Sequence, residues 1–402
     1  TTPDRVETSL GTLEFFDGLP KPATARLLHD HLRFIRGVEA FLNGVPAASI
    51  EAMRRGMVDM GGVTSHRCVM FDQLMDSNPL FLTGNTDTVY ASVILDLEHD
   101  GPTVVEIPPG CGPGTVNDAW FRFVIDMGGP GPDRGQGGKY LILPPDDDGI
   151  VPDGYFTVSS PSYTNWLILR GFLVDGRPDA AAAMFRDGLK VYPLAASDNP
   201  PAMEFISASG HSFNTIHAND ATFYEEIHSV IDREHLDVID LETRGLLASI
   251  GIRKGHPFAP DEHMAGILRD AAAVGNATAR TLFFQPEDPE AYIYGDGSHW
   301  KTGFDGGDVA HADGRSDTAD GDHRGQGDIT NPVLHEGAEE IGPGFNAHAK
   351  DEQHETQAFA GEFQVEAPVA EYQRDQQDAG GGSQRDSQDT GATHQQAKAQ
   401  HG

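Results

Sequence analysis

Residues 82–170 constrain this chain more than any other stretch. Short runs rich in Val, Ile, Phe, Tyr and Trp alternate there with Gly/Pro turns. Strands are expected at about 88–96, 103–107, 119–126, 139–143, 155–158 and 164–170. In the first of them Val89, Ala91, Val93 and Leu95 alternate with Tyr90, Ser92 and Ile94, which gives one buried and one mixed face. Short strands following one another, without helices between them, predict an antiparallel sheet of sandwich or barrel type.

Helical patterns flank this stretch. Thr24 is placed to cap a helix running to about residue 42, with Leu27, Leu28, Leu32, Ile35, Val38 and Leu42 on one face. Asn43 and Gly44 stop it, and a second helix from about 48 to 60 follows Pro46. Further helices are expected at about 180–191, 219–234, 240–250 and 261–283, with Asn219 or Asp220, Asp240 and Asp261 near their starts. The class is α+β: an antiparallel β-sandwich-like domain with flanking helices, then a helical segment and a disordered acidic tail. The expected bounds are 1–62 (helical), 63–178 (β-rich), 179–307 (mainly helical) and 308–402 (tail).

The tail expectation rests on composition. Residues 308–402 hold 11 apolar residues other than Ala, with 19 acids against 6 bases. Such a segment buries too little surface to offset its chain entropy. Its 7 His, irregularly spaced, read as solvated rather than metal-binding. Over the whole chain the net charge is −34, which repels phosphate backbones and anionic lipid heads and argues against nucleic-acid and membrane-surface partners. The two cysteines, Cys68 and Cys111, are too few for a disulfide scaffold or a four-thiolate zinc site, and buried free thiols are expected. No run approaches the roughly 18 apolar residues of a membrane span. A cytoplasmic location is expected, with export left open because the numbering starts at Thr1 rather than at a Met.

Several familiar motifs fail on detail. The glycine-rich run at 128–139 lacks the Gly-Lys-Ser/Thr that opens a helix in a phosphate loop, since Tyr140 follows Lys139. It reads as a long inter-strand loop in which Arg134 and Lys139 can clamp a small anion. There is no Gly-x-Ser-x-Gly elbow, HExxH or CxxC. Asp146, Asp147 and Asp148 lack calcium-loop spacing and read as a solvated turn. No cofactor and no metal is expected.

Three polar groups remain. Asn85, Asp87, Thr88 and Tyr90 stand where a loop enters the first strand. Asn117, Asp118, Arg122 and Asp126 stand on and around WFRFVID, where Arg122 and Asp126 are expected on one strand face as an ion pair or anion clamp. Asn214, His217, Asn219, Asp220, Tyr224 and Glu225 surround an expected helix start. For each group structural hydrogen bonding and capping is the favoured reading over function.

The segments TGNTDTVYASVILDL, GTVNDAWFRFVIDMGGPGPDRGQGGKYLILPP, NTIHAND, FYEEI, LLASIGIRKGHPFAPD and ATARTLFF resemble the bacterial and archaeal family built from domains of unknown function 1254 and 1214. The resemblance spans about residues 5–307. It implies an N-terminal α+β domain with β-sandwich character, then helices, then a C-terminal β domain, and no settled activity. After about residue 307 the chain departs from that pattern, as a frameshifted or truncated coding sequence or as a genuine divergent tail. A surface that the second domain would cover then faces water, so self-association is expected. The functional expectation is a small polar or anionic ligand held by Asn85, Asp87, Tyr90, Arg122, Asp126, Arg134 and Lys139. If the protein is an enzyme, hydrolysis or other acid/base chemistry would use His217 with Asp220 or Glu225. The alternative is a non-catalytic assembly protein with exposed β surfaces.

Overall fold

The alternation in the β-rich stretch resolves into two facing sheets in the computed structural model, which describes residues 3–81, 84–145, 147, 149, 151–287 and 292. The chain opens with Arg5–Thr8 (β1), Gly11–Phe16 (β2) and Leu19–Pro20 (β3), a small antiparallel sheet where no strand was expected. Pro22–Asp59 (α1) follows as one helix of 38 residues, where the sequence predicts two. Gly44 and Pro46 lie buried inside it. A Cβ on Gly44 would stand 2.8 Å from Ile227 Cδ1, so the missing side chain is what lets another helix approach. That packing outweighs the local stop signals. Thr24 caps nothing; its hydroxyl accepts from the Glu14 N–H at 2.9 Å and ties β2 to α1.

Next come Arg67–Phe71 (β4), Thr88–Asp96 (β5), Leu97–Asp100 (α2), Thr103–Ile107 (β6), Gly114–Asn117 (β7), Phe123–Met127 (β8), Gly138–Leu143 (β9), Phe156–Ser159 (β10) and Thr164–Phe172 (β11). The second half adds Asp179–Gly188 (α3), Lys190–Pro193 (β12), Glu204–Ser207 (β13), Phe223–Arg233 (α4), Leu241–Ser249 (α5) and Glu262–Phe284 (α6). The strand expected at 119–126 begins only at Phe123, because residues 118–122 form a tight turn. The helix expected at 180–191 stops at Gly188 and β12 takes over. Asp240 and Asp261 cap α5 and α6 as expected, accepting from the N–H groups of Thr243 and Met264 at 2.8 Å. Asn219 and Asp220 precede α4 rather than opening it, since the helix starts at Phe223.

The six-stranded sheet has the order β13-β4-β5-β11-β7-β8, and the four-stranded sheet the order β10-β9-β6-β12. Pairing is antiparallel except at two edges, where β13 runs parallel to β4 and β10 parallel to β9. Leu95, Val116, Leu167 and Leu169 of the larger sheet meet Val105, Tyr140 and Ile142 of the smaller, with Phe185 of α3 at the rim. Each such side chain stabilises by about 1.5–3 kcal/mol when fully buried. On the other face of the larger sheet, Ile50, Met53 and Met57 of α1 pack on Val69, Phe71, Tyr90, Ile94 and Trp166. A third cluster joins α1, α4, α5 and α6 through Phe41, Phe223, Ile227, Leu247 and Leu268.

Cys68 and Cys111 are buried free thiols, as expected, and burial pushes both up to about 12, which leaves them unreactive. Among the described residues no helix is long and apolar enough to cross a membrane. The tail expectation for 308–402 and two of the three turn acids, Asp146 and Asp148, lie outside the described residues.

Candidate functional site

Strand β11 divides its residues between two environments. Leu167 and Leu169 enter the core between the sheets, while Trp166, Ile168 and Arg170 point to the α1 side. Register carries that second face across the sheet. Trp166 pairs with Asn117, which pairs with Phe123; Ile168 pairs with Thr115, which pairs with Asp126; Arg170 pairs with Tyr90. A bulge beside Val116/Asn117 keeps Phe123 and Asp126 on the same side. Helix α1 covers this face over β4 and β5. Toward β7 and β8 helix α1 no longer covers it: Thr115, Asn117, Asp126, Ile168 and Arg170 are half-buried, and Phe123 is 42% exposed.

This uncovered half carries polar groups on an otherwise apolar surface. Burial pushes the Asp126 carboxyl up to about 6, against the opposing pull of the Thr115 hydroxyl. It has no ion-pair partner among the described residues. The Arg170 guanidinium lies over the Tyr90 ring, 5.6 Å from its centroid. The Tyr90 hydroxyl accepts from the Asn85 N–H at 3.0 Å. Asn85 in turn closes the loop into β5: its side-chain oxygen accepts from the Thr88 N–H at 3.1 Å, the Thr88 hydroxyl at 2.7 Å and the Asp87 N–H at 3.3 Å. Asp87 itself is exposed.

At the other end of the face Phe121 adopts φ 60°, a left-handed conformation uncommon for a bulky residue. The turn imposes it: the Phe121 N–H donates to the Asp118 carbonyl at 3.0 Å and the Asp118 N–H to the Arg122 carbonyl at 2.9 Å. The ring meets Trp166 edge-on with centroids 5.7 Å apart. Trp166 is only 3% exposed, and its indole N–H has no acceptor among the described residues.

The remaining expected residues go elsewhere. Arg122 pairs with Asp118, not with Asp126, because it sits in the turn and not on the strand. Its Nε donates to Asp118 Oδ2 at 2.7 Å and Nη2 to the Val238 carbonyl at 2.7 Å, joining the sheet to the helical segment. Burial raises Asp118 against the opposing pull of Arg122. Lys139 binds Glu106 at 3.0 Å, beside Lys190 and Tyr192, on the outer side of the four-stranded sheet. Arg134 is exposed in the glycine-rich loop. That loop is pinned by Asp133, which accepts from the Gly128 N–H at 2.8 Å, the Gly137 N–H at 3.1 Å and the Tyr140 hydroxyl. Arg134 and Lys139 share no partner among the described residues.

His217 Nδ1 lies 2.9 Å from the Ala218 carbonyl, with Phe41 and Phe223 edge-on to the ring. Asp220 accepts from the Thr222 N–H and hydroxyl at 2.9 and 2.6 Å, and Glu225 is exposed. The three make no hydrogen bond to one another. Of the expected set, the sheet face thus brings together Asn85, Tyr90, Asn117 and Asp126. It adds Thr115, Trp166 and Arg170.

A second polar cluster escaped sequence reading. Glu51 of α1 accepts from Arg54 at 2.8 and 3.0 Å, Arg55 at 2.9 Å, Arg233 at 2.7 Å and Ser229 at 3.0 Å. Burial alone would raise it, but the arginines hold it at about 2. Glu226 accepts from the Ala218 N–H at 3.0 Å, and Glu234 from the N–H groups of Tyr163 and Thr164 at 2.6 and 3.0 Å; burial raises both. This cluster fastens α1 and α4 to the start of β11. Glu51 is fully enclosed, so it reads as a joint rather than a site. Among the described residues no group of three or more His, Cys, Asp or Glu stands together as a metal site.

Residues 66–193 match the model of a family described as a protein of unknown function, DUF1254. The chain carries a DUF1254 region. That region runs from β4 through β12 and contains every residue of the uncovered sheet face. No curated protein matches the chain. The crystal structure of the VPA0106 protein from Vibrio parahaemolyticus is similar with a TM-score of 0.47 and 16% identity, over 65% of this chain and 62% of that one. This chain therefore spans less than two thirds of that protein.

Proposed function

We propose that the protein binds a small polar molecule on the uncovered half of the six-stranded sheet, across β11, β7 and β8 of the DUF1254 region. One observation carries this reading. Asp126 keeps a desolvated carboxyl, with Thr115 as its one polar side-chain partner among the described residues, on a face that elsewhere packs apolar side chains. Such a group destabilises the fold relative to a neutral or apolar residue, and sites of that kind concentrate where chemistry or binding is done. A carboxyl titrating near 6 also exchanges protons at neutral pH. Acid/base chemistry, with hydrolysis as the default, is the narrower form of the same reading, and it puts the proton on Asp126.

A fragment screen by NMR on the full chain tests the binding reading. Bound fragments are expected to shift Thr115, Asn117, Asp126 and Ile168 together, and to lose affinity in Asp126→Ala. Fragments that map only to other surfaces would remove it.

A second reading, an assembly protein that self-associates, is favoured by exposed apolar side chains: Phe16 at 72%, Leu19 at 69% and Leu241 at 77%. A concentration-independent monomer in analytical ultracentrifugation would dismiss it.

A further inference from the structure

The residues on the uncovered face select among ligand chemistries. An anion would meet a chain of net charge −34 and a single guanidinium, Arg170, already engaged over Tyr90. A cation would find one carboxylate, Asp126, and no second acid in its row, where Thr115 and Ile168 follow. A wholly apolar ligand would strand Thr115, Asn117 and Asp126 against hydrocarbon without partners.

A saccharide presents the complement of this surface. Its C–H faces suit aromatic rings, and its hydroxyls each offer a donor and an acceptor. Phe123 is 42% exposed and level with Asn117, and Phe121, half-buried in the adjoining turn, keeps one side of its ring against Trp166. Asp126 offers two acceptor oxygens, Asn117 a donor and an acceptor, and Thr115 a hydroxyl. These positions lie about 5 Å apart between strands and about 7 Å apart along them, the scale on which hydroxyls are spread over one or two sugar rings.

We propose that the uncovered face of β11, β7 and β8 binds a neutral saccharide, its C–H face on Phe121 and Phe123 and its hydroxyls on Thr115, Asn117 and Asp126. This rests on the sheet face being the binding surface. The half-buried carboxyl supports it, because a partly desolvated acceptor holds hydroxyl donors more strongly than one in bulk water.

The test uses the full chain labelled with 5-fluorotryptophan, in which the Trp166 resonance is identified by its loss in Trp166→Phe. An array of neutral mono- to tetrasaccharides supplies the sugar probes, with gluconate and glucosamine as charged counterparts. At least one neutral sugar is expected to shift the Trp166 resonance saturably. Asp126→Ala and Phe123→Ala should each weaken that response at least tenfold, whereas Arg134→Ala should leave it unchanged. Phe123 is exposed enough that its truncation leaves the core intact. A resonance that no neutral sugar moves overturns the saccharide assignment. A shift produced by gluconate or glucosamine alone overturns it too, while leaving the sheet face as a binding surface. A sugar response that survives both substitutions places the sugar elsewhere and sinks the assignment together with the reading beneath it.

Discussion

Asp126 is a half-buried acid and Glu51 an enclosed one, and they respond to pH with opposite signs. Asp126 is raised to about 6 from an ordinary 3.8, so the folded chain takes up its proton before the unfolded chain does. Its ionised form therefore destabilises the fold above about pH 6, and the effect fades as pH falls toward 4. Asp126→Asn is expected to stabilise by about 1–2 kcal/mol at pH 7.5, after allowing for partial exposure, and to be near neutral at pH 4. Urea denaturation at both values checks this; an equal gain at both would show that the carboxyl is not desolvated. Glu51 is lowered to about 2 from 4.5, so its contribution is complete above pH 4.5 and is lost as pH falls toward 2. Glu51→Gln strands the guanidinium groups of Arg54, Arg55 and Arg233 and is expected to lose about 3–5 kcal/mol at pH 7. A loss below 1 kcal/mol, typical of an exposed pair, would count against the joint. Asp126 is legible in the sequence as an acid inside an apolar strand. Glu51 is not: with Arg54 and Arg55 at i+3 and i+4 it reads as an ordinary surface pair, and only Arg233, far along the chain, shows that it is enclosed.

Elements were legible where their periodicity is local. Strands β5, β6, β9 and β11 and helices α5 and α6 follow their hydrophobic patterns closely. Helix α1 does not, because Gly44 and Pro46 signal a stop that only contact with α4 can override. Strand β7 was missed since four residues opening on Gly114 carry too short a pattern. The parallel edge pairs β13/β4 and β10/β9 were missed because such partners are joined by long connections rather than a turn. Arg170, Asn117 and Trp166 became site neighbours only through the register that aligns their strands. Close glycine contacts also make α6 a test of helix packing. A Cβ on Gly37 would stand 2.6 Å from Ala271 Cβ. Gly37→Val is expected to lever α6 away from α1, at a loss of about 1–3 kcal/mol. Hydrogen exchange should then speed up in α6 and stay unchanged in β5 and β11. Faster exchange in the sheet as well would mean that the helices and the sandwich unfold as one unit.

On the scale of the whole molecule, strong negative charge coexists with exposed apolar side chains. The charge keeps molecules apart, while Phe16 and Leu19 on the β2–β3 hairpin and Leu241 at the start of α5 favour contact. If assembly is real, the double variant Phe16→Glu/Leu19→Glu should shift sedimentation toward monomer without changing the thermal midpoint by more than a few degrees. An unchanged distribution would clear the hairpin of any part in it. One further property follows from β11, whose odd residues Leu167 and Leu169 fill the sandwich while its even residues Trp166, Ile168 and Arg170 line the opposite face. A one-residue slip of this central strand would swap the two sets, putting a guanidinium among Val, Leu and Ile. Correct assembly of the interior and correct presentation of the outer face are thus a single event, so a molecule that has folded at all has already been proofread for which side chains it shows on that face.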